Sequence, residues 1–203
     1  MNQKERMLAG LPYKAWLDGL EEERVECKKK IYAFNLMPPD ERNKVPEALK
    51  SLLGKTGENV FIEAPFHCDY GRNIEVGENF FANYNFTVLD VGKVTIGKNA
   101  QIAPNVSIYT AGHPIHPDSR NSGYEYGIPV TIGDNVWIGG NTVIMPGVTI
   151  GDNVVVGGGS VVTKDIPDWS IAAGNPCKVI RKITEEDRKY YYKKQEFDVE
   201  DYK

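Results

Sequence analysis

A six-residue repeat of aliphatic side chains is the most constraining feature of this 203-residue chain. Its longest run is Ile132, Ile138, Ile144, Ile150, Val156 and Val162. Shorter runs with the same spacing are Ile96, Ile102 and Ile108, and Val76, Ala82 and Val88. Neither an α-helix nor an alternating strand produces a period of six. The period is typical of parallel β-helices, in which three six-residue strands form one coil of a prism.

Several of these aliphatic residues precede a glycine, as in Ile138-Gly139 and Val156-Gly157. We expect the aliphatic side chain to point into the prism. The glycine permits a sharp corner that a side chain would obstruct. The pattern therefore predicts a mainly β fold, a parallel β-helix of hexapeptide repeats.

Three segments differ in character. Residues 1–56 are charged and helix-like, and one helical face is traced by Leu20, Val25, Ile31, Phe34 and Leu36. Residues 57–181 carry the hexapeptide period. Residues 182–203 contain the run Thr184-Glu185-Glu186-Asp187, which predicts a capped C-terminal helix followed by a charged tail.

The period is interrupted twice. Between Val88 and Ile96 it slips by two residues, which predicts that residues 90–93 bulge out of one corner. The longer interruption, residues 109–129, has no aliphatic period. Ile108 and Ile132 are 24 residues apart, so a coil running straight through also fits the spacing. We favour an extruded loop, because Pro114, Arg120 and Tyr126 at the in-phase positions fill a core poorly.

Composition limits the classes of partner. The 28 acidic residues outnumber the 24 basic ones, so no global charge favours nucleic acid or an anionic membrane. No stretch approaches the roughly 18 apolar residues of a membrane span, and the N-terminus opens no signal-peptide core. The three cysteines are widely spaced, without a ligand motif. We therefore expect a reduced, cytoplasmic setting.

The chain resembles the maltose and galactoside O-acetyltransferases, a family of hexapeptide-repeat acyltransferases. The resemblance is strongest in the loop sequence Tyr-Thr-Ala-Gly-His-Pro-Ile-His-Pro at 109–117. It extends through residues 68–71, 79–84, 131–140, 162–167 and 173–176. The N-terminal helical segment also resembles the family's cap, so the resemblance covers nearly the whole chain.

The resemblance implies transfer of an acetyl group from acetyl-CoA to a sugar hydroxyl, without a metal. It also implies a left-handed coil and a homotrimer whose active sites lie between neighbouring prisms. Coils of parallel strands are usually right-handed, so the handedness comes from the resemblance alone. Self-association has a second basis, because Trp137 and Val143 fall on flat outer faces and expose apolar area.

His113 matches the family's catalytic base. An alcohol needs a base during attack, and histidine suits this task because its ordinary pKa of about 6.5 is near neutrality. The alternative is a loop histidine that only caps backbone groups. His116 matches a less directly catalytic position, for which we expect a structural role.

Two further positions match the catalytic machinery. Attack on the acetyl group creates an oxyanion, which needs a hydrogen-bond donor. The backbone N–H of Gly140 matches the family's donor, although a corner glycine explains this residue equally well. Asn83 matches a position beside the reacting hydroxyl, and a stacked corner asparagine is the alternative.

Acceptor recognition is assigned by resemblance to Asp69, Glu125 and Arg24. Carboxylates accept strongly from sugar hydroxyls, although solvated carboxylates and a solvated helix arginine are the simpler alternatives. The galactoside enzymes carry an acidic contact where this chain has Ala15. This difference favours a maltose- or glucose-type acceptor.

Acetyl-CoA contacts are expected along the prism wall and at the last coils. The small residues Gly140 and Gly158 leave room for the pantetheine arm, and Thr163 and Lys164 match family contacts. Lys178 and Arg181 are cations suited to phosphates. Trp137 has two open interpretations, packing against the cofactor or against a partner subunit.

Three other functions fit the sequence less well. A γ-carbonic-anhydrase-like zinc site needs three histidines, and His67 lies outside that family's usual spacing beside His113 and His116. A noncatalytic scaffold has no need of both the histidine loop and the Lys164 region. A xenobiotic O-acetyltransferase typically lacks the N-terminal helical cap.

Overall fold

The computed structural model describes residues 1–199 and 201, and residues 200, 202 and 203 of the predicted tail lie outside the described residues. The predicted parallel β-helix is confirmed, with strands stacked in three faces. The first face contains β1 (Lys55–Thr56), β4 (Ile74–Val76), β7 (Val94–Ile96), β12 (Val130–Ile132) and β15 (Thr149–Ile150).

The second face is the widest. It contains β2 (Phe61–Ile62), β5 (Phe81–Ala82), β8 (Gln101–Ile102), β13 (Trp137–Ile138), β16 (Val155–Val156), β18 (Ser170–Ala173) and β19 (Lys178–Lys182). The third face contains β3 (Phe66–Cys68), β6 (Phe86–Leu89), β9 (Ser107–Tyr109), β14 (Val143–Ile144) and β17 (Val161–Val162). Only β19 runs antiparallel within these three faces, as it turns back along β18.

The hexapeptide aliphatic residues form the core of the prism. Ile132, Ile138 and Ile144 come from the three faces of one coil, and all three are buried. Their outward neighbours alternate with them, as expected for strands. Corner asparagines with positive φ stack across coils, and the side chain of Asn99 donates to that of Asn135 at 2.8 Å.

The N-terminal helices cover the first coils. They are α1 (Gln3–Leu8), α2 (Leu20–Asn35), a 3-10 helix (Pro39–Lys44) and α3 (Val45–Leu52). The predicted face of α2 is partly wrong, because Val25 and Leu36 are exposed and Cys27 is buried instead. Val25 follows Leu20 by five residues, which at 100° per residue places it on another side of the helix.

The predicted C-terminal helix is wrong. The cap at Thr184 and Asp187 forms, but it starts only a 3-10 helix (Glu185–Lys189). A hairpin of β20 (Tyr190–Tyr192) and β21 (Gln195–Glu196) follows. Three consecutive tyrosines favour a strand, so the helix ends after its first turns.

The interruption at residues 109–129 lies outside the coil. Strand β12 pairs directly with β7, so no further coil is inserted between them. The excursion forms a hairpin of β10 (Ala111–Gly112) and β11 (Tyr126–Gly127), with the short helix α4 (Pro117–Asn121) between the strands. In the part of the chain that the structure describes, no helix has the length and apolar character to cross a bilayer.

Candidate active site

The corner between the third and first faces is enlarged in the early coils. Phe66 pairs with Phe86, 20 residues later, whereas Val143 pairs with Val161, 18 residues later. The extra residues, including 90–93, were predicted to bulge outward. Instead Val91 is buried, because the N-terminal segment covers this corner.

A second hydrophobic cluster joins the N-terminal segment to this corner. It consists of Met7, Tyr13, Leu20, Tyr70 and Val91. Burial of each large apolar side chain contributes about 1.5–3 kcal/mol, so the cluster fixes the N-terminal segment firmly over the corner. The N-terminal cap therefore forms a fixed wall at this corner of the prism.

The stem of the extruded loop is attached to the same corner. The Thr110 hydroxyl donates to the carbonyl oxygen of Leu89 at 2.6 Å and accepts from the backbone N–H of Gly92 at 2.8 Å. The backbones of Gly92 and Gly127 pack closely, and a Cβ on Gly127 would lie 2.8 Å from the Gly92 nitrogen. These contacts determine where the loop leaves the prism.

His113 follows the first strand of the loop hairpin. Gly112, immediately before it, pairs with Tyr126, and a Cβ on Gly112 would lie 2.5 Å from the Tyr126 ring. The exposed His113 imidazole hydrogen-bonds to no other described residue. His116 has a structural role, because its Nδ1 accepts from the Asp118 N–H at 3.3 Å and caps α4.

The loop is also tied to the N-terminal segment. Tyr13 and Glu125 exchange backbone hydrogen bonds at 2.9 and 3.0 Å. The Tyr13 hydroxyl donates to Oε1 of Glu125 at 2.5 Å. Burial, followed by this hydrogen bond, raises the pKa of Tyr13, so the phenol remains protonated and holds the Glu125 carboxylate in place.

These elements surround a pocket of about 350 Å³. It is lined by Ala15, Arg24, Asp69, Leu89, Val91, Ala111, His113 and Glu125. Four residues predicted from the sequence to form the catalytic and acceptor sites are thus brought together: Arg24, Asp69, His113 and Glu125. They come from the helical cap, the first coil and the loop.

The charges around the pocket are organised by hydrogen bonds. Arg24 Nη1 donates to the Ala15 carbonyl oxygen and to the Tyr70 hydroxyl, both at 2.8 Å. Burial raises the pKa of Asp69, while the positive charges of Arg24 and Lys28 oppose the rise. The pocket therefore presents the carboxyl groups of Asp69 and Glu125, with the guanidinium of Arg24 fixed between the cap and the coil.

The remaining predicted site residues lie elsewhere on the same chain. Asn83 follows β5, and Gly140 follows β13, so both lie at the corner between the second and third faces. Gly158 follows β16 at the same corner. Trp137 lies half exposed on the second face. His113 and these residues therefore occupy different corners of one prism.

The last group of predicted residues lies at the end of the prism. Thr163 and Lys164 follow β17 and are exposed at the corner between the third and first faces. Lys178 and Arg181 are in β19. Arg181 makes a bidentate pair with Asp187 at 2.8 and 2.7 Å, and this pair lowers the pKa of Asp187 to about 2.

Comparisons with known proteins identify both parts of this architecture. Residues 129–164 match the six-repeat hexapeptide of bacterial transferases, and residues 6–57 match the maltose acetyltransferase hexapeptide capping motif. The chain is 48% identical to galactoside O-acetyltransferase of Escherichia coli over 95% of each protein. The chain belongs to the galactoside and maltose O-acetyltransferase family.

Two solved structures of this family superimpose closely. A galactoside acetyltransferase in complex with coenzyme A has a TM-score of 0.95 and 47% identity, covering 98% of this chain and 100% of its own. A maltose O-acetyltransferase from Clostridium difficile has a TM-score of 0.90 and 57% identity, covering 91% of this chain and 99% of its own.

Asp90 supports the pocket from behind, and the sequence analysis did not identify it. Its Oδ1 accepts from the backbone N–H groups of Asp69 and Tyr70, both at 2.9 Å, and its buried Oδ2 makes no hydrogen bond. It therefore fixes the backbone that carries Asp69, whose side chain lines the pocket. The phase slip at 90–93 was the only sequence signal for it. Nothing in the sequence pointed to Tyr13.

Burial raises the pKa of Asp90 to about 6, above the ordinary 3.8, despite the two backbone hydrogen bonds. The charged groups facing it are Asp69, whose charge adds to the rise, and Arg72. Because the folded protein binds this proton more tightly, the stability it contributes is complete below pH 3.8 and is lost as the pH rises through 6.

The Asp90→Asn variant is therefore expected to lack part of this pH dependence. Its unfolding free energy should gain about 1–2 kcal/mol relative to wild type between pH 5 and pH 8. Denaturant unfolding across this range measures the difference, and any constant cost of the buried amide cancels. Asp168→Asn is the control, because exposed Asp168 also accepts a backbone N–H. An offset between Asp90→Asn and wild type that is equal at all pH values would contradict the assignment.

Proposed function

We propose that this acetyltransferase moves the acetyl group of acetyl-CoA to a hydroxyl of a maltose- or glucose-type sugar. The observation that carries the proposal is the pocket that His113 lines together with the carboxylates of Asp69 and Glu125. A histidine supplies the base that an alcohol needs, and the carboxylates accept from the other sugar hydroxyls.

The proposed reaction is a direct transfer. The imidazole of His113 removes the proton of the sugar hydroxyl as its oxygen forms a bond to the acetyl carbonyl carbon. The carbon–sulfur bond then breaks, and the imidazolium returns the proton to the departing thiolate. No acetyl-enzyme is required, and the products are the O-acetyl sugar and free coenzyme A.

Gly140 is the proposed oxyanion donor. Its backbone N–H donates to no other described residue, whereas its carbonyl oxygen accepts from Gly159 at 2.8 Å. Loss of one such donor typically costs about 10²–10³-fold in kcat. Asn83, at the same corner, is proposed to hold the reacting hydroxyl with its amide. Its Oδ1 accepts from the N–H of Tyr84 at 2.8 Å, which leaves the Nδ2 group as the donor.

The wall beside Gly140 suits the long, thin arm of acetyl-CoA. Gly140 and Gly158 stack, and a Cβ on Gly158 would lie 3.1 Å from the Gly140 carbonyl oxygen, so no side chain projects from this wall. Thr163, Lys164 and Lys178 are proposed to bind the cofactor at the end of the prism. Arg181 is already paired with Asp187, so its proposed phosphate contact requires it to share or exchange that partner.

We propose that the active site is shared between copies in a homotrimer. His113 lies at one corner, whereas Asn83 and Gly140 lie at another, so two copies are needed to bring them together. The outward side chains of the second face are mostly apolar, with Phe81, Trp137, Val155 and Ile171 interrupted only by Gln101 in this row, and they form the proposed contact surface. The first face carries Glu75, Thr95, Thr131 and Thr149 at the equivalent positions.

The composition of the pocket wall supports the proposed acceptor class. Ala15 lines the pocket where galactoside enzymes carry an acidic contact, so Asp69 and Glu125 are its only carboxylates. The helical cap supplies Ala15 and Arg24, which distinguishes this site from the cap-free xenobiotic type. Among residues 1–199 and 201, no three His, Cys, Asp or Glu side chains form a group that could hold a metal ion. A cytoplasmic setting stays a prediction; Cys27, Cys68 and Cys177 are free thiols.

Acceptor-dependent release of coenzyme A tests the proposal. Free thiol is measured from acetyl-CoA with glucose, maltose, a galactoside or buffer alone. We expect release above the buffer rate with glucose and maltose, and slower release with the galactoside because Ala15 provides no carboxylate. Release equal to the buffer rate with every sugar would overturn the proposal. Faster release with the galactoside would overturn only the assignment of the acceptor.

A further inference from the structure

The turn after Tyr13 holds an aromatic side chain at the rim of the pocket. Trp16 is 52% exposed, and its ring packs against Gly123. Gly123 has a φ of +81°, and a Cβ there would collide with the Trp16 ring, so both the backbone and the contact require glycine. The indole ring is therefore held in a defined place although half of its surface faces solvent.

A cation and a second aromatic ring complete this surface. The Lys14 ammonium group lies 6.0 Å from the centre of the Trp16 ring and 5.0 Å from the centre of the Tyr124 ring. Both distances are within the range of cation–π attraction. Lys14, Trp16 and Tyr124 thus form one surface, which we call the rim platform.

The rim platform adjoins the proposed acceptor pocket on two sides. Trp16 directly follows Ala15, and Tyr124 directly precedes Glu125, and both of these neighbours line the pocket. The backbone pairing of Tyr13 with Glu125 keeps the two segments side by side. A molecule whose reacting end lies beside His113 can therefore extend over the rim platform.

The chemistry of the rim platform fits a sugar ring. A pyranose has a face of C–H groups, which packs on an aromatic ring, and an edge of hydroxyls, which hydrogen-bonds to charged groups. Trp16 provides the flat apolar face, and Lys14 provides a donor beside it. Trp and Tyr are enriched at binding surfaces, because each combines a large apolar face with a polar group.

We propose that the rim platform is a second sugar subsite, which binds the ring of the acceptor that is not acetylated. This inference rests on the proposed function and narrows its substrate class to di- and oligosaccharides. The rim platform contacts the acceptor equally in the ground state and in the transition state. Loss of this contact therefore raises KM and leaves kcat unchanged.

The test compares glucose, maltose and maltotriose as acceptors for wild type, Trp16→Ala and Trp16→Phe. We expect Trp16→Ala to lose about 10-fold in kcat/KM for maltose through KM, and less than about 2-fold for glucose. Trp16→Phe should retain most of the maltose preference, because it keeps an aromatic face. Leu17→Ala, an exposed apolar change in the same turn, is the control and should resemble wild type.

Equal losses for glucose and maltose, or no loss for either, would overturn the subsite. Size-exclusion mass is measured for each variant, and a change of mass in Trp16→Ala would instead make Trp16 a contact between copies. If wild type turns over no sugar, the proposed function fails. In that case, calorimetry of maltose binding tests the subsite by itself. The subsite requires that wild type binds maltose and that Trp16→Ala does not.

Discussion

The His113→Ala variant is expected to lose about 10²–10⁴-fold in kcat with the best sugar acceptor, the range typical of a general base. The change removes the group proposed to take the hydroxyl proton. Because His113 is exposed and hydrogen-bonds to no other described residue, the free energy of unfolding should stay within about 0.5 kcal/mol of wild type. Steady-state release of coenzyme A and thermal unfolding measure the two quantities.

The loop provides its own control for this experiment. His116 lies three residues further on, caps α4 through Nδ1 and does not line the pocket. His116→Ala should therefore retain kcat to within a few-fold, since the loss of a cap typically costs only about 1 kcal/mol of stability. If His113→Ala keeps most of the wild-type kcat, the proton is removed by another group, and Asp69 and Glu125 in the same pocket are the next candidates.

The core of the prism was predictable because its pattern is local. Each inward position, such as Ile138, is specified by its own six-residue repeat and a following corner, so no distant contact needs to be known. The C-terminal helix was not predictable for a related reason. The capping residues Thr184 and Asp187 mark where a helix begins, but Tyr190–Tyr192 decide where it ends.

Residues of the candidate site could be predicted only where a sequence motif identified them. The loop sequence indicated His113, and resemblance placed Asp69 and Glu125 near the acceptor. The pairing of Tyr13 with Glu125 joins residues 112 positions apart, and no local pattern encodes it. The burial of the corner at Asp90 was not predicted. The two-residue slip in the repeat is visible in the sequence, but the packing of the cap over that corner is not.

A mixture of two inactive variants is expected to recover activity, because the proposed active site draws on two copies. His113→Ala lacks the base, and Asn83→Ala lacks the amide proposed to hold the hydroxyl. In a ring assembled from equal amounts of both chains, about a quarter of the sites pair an intact His113 with an intact Asn83 from the neighbour. The co-assembled sample should therefore show about a quarter of wild-type kcat, well above either variant alone.

The experiment is done by co-expressing the two variants in equal amounts with the same affinity tag, so that homotrimers and mixed trimers are purified together in their random proportions. Each variant purified alone is the baseline. A double variant carrying both substitutions, co-expressed with wild type and purified in the same way, is the matched control. In this control mixture, about a quarter of the sites are also intact if the site is shared, because both chains that form a site must be wild type.

The two mixtures separate a shared site from one contained in a single chain. If each chain held its own complete site, the mixture of single variants would stay at its baseline. The mixture of double variant with wild type would then retain about half of the activity, since half of the chains are intact. His113 at one corner and Asn83 at another lead us to expect equal activity in both mixtures. Activity that stays at the baseline in the first mixture but reaches about half of wild type in the second would place His113 and Asn83 in one site within a single chain, and would overturn the shared site.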